Sequence, residues 1–152
     1  MAHGQALSHA PRVFRRVPFL ELRQSLPSRI SIVSPFVDQL MRFIGRFRNA
    51  DGGELEIETA VREALTNAIL HGNKDDARKR VYVVCRCTTD GEVSIRVEDE
   101  GHGFDTDKVA DPTTPENRCL PYGRGIHLMR MSMDEIGFEQ SGTVVYMRKG
   151  PT

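Results

Sequence analysis

Apolar residues change their spacing several times along the chain, and each change marks an element. From Ser34 to Phe47, the residues Phe36, Val37, Leu40, Met41, Ile44 and Phe47 recur at three- and four-residue intervals, which predicts a helix with one buried side. Ser34 reads as its N-cap and Pro35 as its first helical position. "NADGG" breaks the pattern, and a second helix is expected from about Glu54 to His71, with Gly72 as its stop. Ahead of both, "FLELRQSLP" reads as an opening strand. "VYVVCRCTT" and "EVSIRVED" read as strands joined by Asp90-Gly91, a strong hairpin signal. After "GRGIHLMRMSMDEI", a short helix entered through glycines, "IGFEQ" and "TVVYMRK" form a last hairpin around Ser141-Gly142. Helices early and hairpins late predict an α/β sandwich with helices on one face of the sheet. Residues 1–16 lack periodicity and read as a loose tail, leaving 17–150 as a single domain.

Composition narrows the function classes. The chain has 152 residues and 39% hydrophobic content, enough for one domain with a sizeable core. Its 21 basic and 21 acidic residues balance, so no bulk field draws it to nucleic acid or an anionic membrane. No apolar run approaches a membrane span or a signal peptide. Cys85 and Cys87 lie two apart on a strand, facing one side, and Cys119 lies in a loop. Paired ligand clusters for zinc are missing, and reduced structural thiols suit a cytoplasmic protein.

Three stretches carry possible chemistry. In "REALTNAILHGN" the apolar face formed by Val61, Ala64, Leu65, Ala68 and Ile69 predicts a core helix. Glu63, Asn67 and His71 nevertheless sit four apart, stacking a carboxylate, an amide and an imidazole along one line of it. By itself such a stripe is most simply a solvated helix edge. In "VEDEGHGFD" a strand ends at Asp99 and runs into Gly101 and Gly103. An acid there can accept from an amine, and the glycines let backbone approach a flat ligand. A tight solvated turn would read the same way, and a dinucleotide fingerprint fails because Thr106 stands at the third glycine. In "GRGIHL", Gly123 and Gly125 bracket Arg124 at a helix start, where free N–H groups and a guanidinium can hold phosphate. The polar, proline-rich segment between Phe104 and Tyr122 has the length and position of a lid.

Taken in order, these stretches resemble the motifs of the GHKL group of ATPases. "EALTNAILHG" is similar to the group's N-box, "DEGHGF" to its first glycine box and "GRGIHL" to its second. The resemblance spans most of the chain, from the first helix to "SGTVVYMRK". Within the group the chain is most similar to bacterial anti-sigma factor serine/threonine kinases, through the glutamate opening the N-box, the N-A-x-x-H continuation and "MDEI".

That resemblance implies a two-layer sandwich with a mixed, mostly antiparallel sheet, and a set of roles. Asn67 would be the Mg2+ ligand and Glu63 the general base. Asp99 would read adenine, with Gly101 and Gly103 allowing base and sugar to approach and Thr143 beside the base. Gly123, Arg124 and Gly125 would hold the phosphates of ATP. His71 matches a family position suited to packing or helix termination. The partners implied are an anti-anti-sigma factor, which is phosphorylated, and a sigma factor, which is held inactive by what is usually a homodimer. No direct contact with nucleic acid or membrane is implied. The rival readings are a module that binds ATP and partners without phosphoryl transfer, and a phosphorelay-associated domain. Glu63 favours the kinase, since a pure binder needs no base one turn from the metal ligand.

Overall fold

A computed structural model describes residues 17–49, 53–105 and 121–151, with the side chains of 121 and 122 left aside. The tail at 1–16, Cys119 and nearly all of the expected lid lie outside the described residues.

Strands β1 (Phe19–Pro27), β2 (Arg80–Thr88), β3 (Val93–Asp99), β4 (Glu135–Glu139) and β5 (Val144–Lys149) form one sheet in the order β1-β2-β3-β5-β4. Every pairing is antiparallel. Helices α1 (Val33–Ile44), α2 (Glu54–Thr66) and α3 (Pro121–Ser132) complete the α+β fold. Strict alternation sets the two faces of the sheet. Val81, Val83, Cys85 and Cys87 of β2 and Val93, Ile95 and Val97 of β3 are buried with Val37, Leu40, Ile57, Val61, Leu65 and Met129 of the helices. The other face carries charge: Arg86 and Arg23 pair with Glu21, Arg96 with Glu98, and Arg148 with Glu92 and Glu135. Cys85 and Cys87 are buried free thiols whose sulfurs lie 3.9 Å apart, in keeping with a packing role.

Helix entries and exits differ from expectation in three places. The first helix starts at Val33, after a 3-10 turn at Ile30–Ile32, so Ser34 is already helical and caps nothing. Its hydroxyl accepts from Arg62 Nη1 instead, at 3.1 Å. Pro35 still falls in the first turn, where its missing N–H costs nothing.

The second helix does not end on a left-handed glycine. Beyond Thr66 it widens into a π-helical turn over Asn67–Gly72, and the left-handed residues come later, Lys74 and Asp75, both with φ 55°. Gly72 is needed for space: a Cβ there would lie 2.3 Å from the Asp99 carboxylate.

The third helix begins at Pro121, which puts Gly123, Arg124 and Gly125 inside it instead of before it. Among the described residues no helix is long and apolar enough to cross a membrane.

Candidate functional site

A cleft of about 430 Å³ opens between α2, its π-turn, α3 and the ends of β3 and β5. Its floor is apolar, made by Ala64, Ala68, Val97, Ile126, Met129 and Val145. Its polar groups come from segments far apart in sequence, including Asn67, His71, Asp99 and Thr143. A mostly apolar cavity with a few converging polar groups is what a small-molecule site requires.

One end is built around Asp99. β3 delivers this residue to the sheet margin, where its N–H donates to Thr143 O at 3.0 Å and its Oδ1 accepts from Gly101 N at 2.8 Å. Burial pushes the Asp99 carboxyl above its usual range, opposed by the Gly101 N–H and by Lys79. The backbones here are in close contact. A Cβ on Gly101 would sit 2.0 Å from Gly72 O, and one on Gly103, whose φ is +75°, would sit 1.9 Å from Ser141 O. Phe104 N–H donates to Ser141 O at 2.8 Å, and its ring meets Phe138 edge-on at 5.6 Å. Thr143 is spoken for locally, its Oγ1 donating to Gln140 O at 3.0 Å.

The other end is built on the polar stripe. α2 and α3 pack together, and Gly125 of α3 lies against the polar stripe. A Cβ there would lie 2.8 Å from Glu63 Oε2 and 3.2 Å from Asn67 Nδ2. Glu63 and Asn67 therefore share the face of α2 turned to the start of α3. They are roughly 6 Å apart along the axis. Gly123 lines the cleft, while Arg124, the next residue round the helix, is exposed and outside the lining. His71 lines the cleft, and burial pushes its imidazole below the usual value.

Of the residues expected in the site, Asn67, Asp99, Gly103, Gly123 and Thr143 line the cleft itself. Gly101 lies behind Asp99 against the π-turn, and Glu63 and Gly125 lie beside Asn67. Arg124 is the one whose side chain is not brought in. Sequence reading did not single out Lys74, Phe104, Ile126 or Met129, all of which line the cleft. Phe104 is the last residue of "DEGHGF" and Lys74 follows "EALTNAILHG" by two positions, and that proximity is the available signal.

The donor chemistry suits Mg2+ held with a nucleotide. Asn67 offers one neutral amide oxygen, and no group of three or more His, Cys, Asp or Glu that could hold a metal occurs among the described residues. Mg2+ keeps several waters and takes other ligands from substrate phosphates, so a single protein oxygen is sufficient.

Residues 26–149 match the histidine kinase-like ATPase domain family. The chain belongs to that family. It is 37% identical over 99 residues to the anti-sigma F factor of Priestia megaterium, covering 62% of this chain and 67% of the relative. An anti-sigma F factor of Clostridium botulinum (strain Eklund 17B / Type B) is 38% identical over 102 residues, covering 62% of this chain and 68% of the relative. The chain thus spans about two thirds of these relatives' length. Among solved structures, the RsbU and RsbW domains of Rv1364c from Mycobacterium tuberculosis align with a TM-score of 0.62 at 18% identity, covering 87% of this chain and 32% of that one. That likeness is one of fold. For the histidine kinase-like ATPase domain described here, an ATP site is what the family implies, and the cleft is lined by residues of all three stretches singled out in the sequence.

Proposed function

We propose that the chain is an ATP-dependent protein serine/threonine kinase of the anti-sigma type. It transfers the γ-phosphate of ATP to a hydroxyl of an anti-anti-sigma factor and holds a sigma factor inactive, working as a homodimer. The names of its relatives support the partner class. The observation that carries the reading is the placement of Glu63 beside Asn67 on the helix face that meets Gly125.

The cleft has a direction. The adenine amine donates to Asp99 at the end held by Gly72, Gly101 and Thr143. Gly103 lets the base and sugar approach. The phosphates run along α3 towards its first turn, where N–H groups lack i−4 partners and the positive end of the helix dipole lies. Asn67 offers its oxygen to Mg2+, which when bound neutralises charge on the phosphate oxygens. Arg124, exposed on α3 and outside the lining, must turn inward to reach a phosphate. Glu63, one turn beyond Asn67, accepts the proton of the incoming hydroxyl. The hydroxyl oxygen bonds to the γ-phosphorus as the bond to the β–γ bridging oxygen breaks, and ADP leaves.

Labelled-phosphate transfer to an anti-anti-sigma domain, run beside nucleotide binding, tests this. Glu63→Ala should bind ATP like the parent and lose about 10²–10⁴-fold in transfer rate, the usual contribution of a positioned base. Equal transfer by the two proteins would remove Glu63 as base. A parent that binds ATP and partner but transfers nothing would make the chain a binding module.

A further inference from the structure

Asn73, the residue just after the stretch similar to the N-box, is fully buried and uses both ends of its side-chain amide. Oδ1 accepts from Glu100 N at 2.8 Å, while Nδ2 donates to Arg80 O at 2.9 Å and to Ser28 Oγ at 3.1 Å. Its own N–H donates to Ala68 O at 2.8 Å, an i→i−5 bond that closes the π-turn. Glu100 directly follows Asp99, and Ala68 directly follows Asn67. One residue therefore ties the segment carrying the cleft's amide to the segment carrying its carboxylate.

We propose that Asn73 is a positioning residue that sets base recognition by holding the Asp99–Glu100 peptide in fixed register with the π-turn. The proposal rests on the nucleotide reading of the cleft. Its physical ground is the absence of slack on both sides of Asp99. Gly101 lies where a Cβ would meet Gly72 O at 2.0 Å, and Gly72 lies where a Cβ would meet the Asp99 carboxylate at 2.3 Å. The Asp99 N–H is held by Thr143 O, and the Glu100 amide, which also sets how far Asp99 projects along the cleft, is held by the Asn73 oxygen. A hydrogen bond reads an exocyclic amine over a narrow range of distance and angle, so a small slip of Asp99 weakens adenine more than phosphate contacts. A buried amide serving only as a structural plug would lower stability and leave base preference untouched.

The test is calorimetric titration of the full chain with non-hydrolysable ATP and GTP analogues in magnesium. It compares the parent with Asn73→Ala, Asn73→Asp, and Ile44→Ala as a core-destabilised control in α1, away from the cleft. The ATP-over-GTP preference of Asn73→Ala should fall by about tenfold, the effect of one well-placed hydrogen bond. Asn73→Asp, which keeps an oxygen for the Glu100 amide, should retain the preference, and Ile44→Ala should melt lower with its preference intact. An Asn73→Ala protein that melts lower but prefers ATP as strongly as the parent overturns the proposal. A parent with no preference for ATP overturns the nucleotide reading itself. Should Asn73→Ala fail to fold, hydrogen exchange on the parent decides. Adenosine, which has no phosphate, should slow exchange together at the Glu100 and Asn73 amides and at the Asp75 amide, which donates to Ile69 O of the π-turn at 2.8 Å. Slowing at Glu100 without Asn73 and Asp75 would overturn the coupling.

Discussion

A glycine inside a helix costs about 0.5–1 kcal/mol relative to alanine. Gly125 of α3 has a steric reason to be there, because a methyl group would meet Glu63 Oε2 at 2.8 Å and the Asn67 amide at 3.2 Å. Those contacts are with the far ends of flexible side chains, so the fold can absorb them. Gly125→Ala should therefore melt at or above the parent temperature while phosphoryl transfer falls, because Glu63 and Asn67 are pushed from their places. Thermal melting and transfer measured on one preparation check this, and a variant with parental transfer would show that the stripe tolerates displacement. Asp99 gives a pH signature. Burial raises its carboxyl above the ordinary 3.8, so the folded state favours the protonated form. Its contribution to stability is full below 3.8 and is lost as pH rises through the higher folded value. On the proposed reading, adenine recognition would have the opposite sign, since it would need the carboxylate. Nucleotide affinity should fall on acidification with a midpoint above 3.8, and Asp99→Asn should lack that step in a pH series of titrations.

At the level of elements, the stability of the fold that carries the site depends on supports far from the cleft. Arg48, just after α1, is buried and donates through Nη1 to Gly91 O and Gly150 O, both at 2.6 Å. It fastens the β2–β3 turn to the chain leaving β5. Hydrogen bonds to a charged donor contribute roughly 1.5–3 kcal/mol, so Arg48→Met should cost about 2–4 kcal/mol in urea denaturation. The nucleotide affinity of the folded protein should be unchanged, because Arg48 is not part of the cleft lining. The elements themselves were legible in the sequence, since alternation in β2 and β3 and the 3.6-residue period in α1 and α2 are set by burial. Their termini were less so. Ser34-Pro35 carries a start signal, but Ile30–Ile32 already winds as a 3-10 turn and moves the start upstream. Over the six residues Asn67–Gly72, a π-turn and an α-turn bury nearly the same side chains, so periodicity cannot separate them. Gly72 reads as a stop from sequence because its actual constraint, the Asp99 carboxylate, is 27 positions away.

Across the whole molecule, β3 and β5 pair side by side with α3 and β4 intervening in the chain, and this crossover brings Thr143 to Asp99. Asn67, Asp99 and Gly123 meet for the same reason, each arriving on a different element of one compact layer pair. The motifs could be read because the chemistry of a nucleotide needs an acid, an amide and close backbone in a fixed order. What the sequence left open was the direction of single side chains. Arg124 falls between two inward glycines and turns to solvent, and Asn73 looks like a turn residue until its three partners are in place. If the proposed function holds, this cleft should bind Mg-ATP with Asn67 at the metal. Calorimetric titration of the parent and Asn67→Ala with ATP, with and without magnesium, tests it most directly. The expected result is saturable binding by the parent that weakens by about tenfold or more when magnesium is removed. Asn67→Ala should bind weakly under both conditions, with little left for magnesium to add. No binding by the parent, or binding indifferent to both the metal and Asn67, would contradict the account.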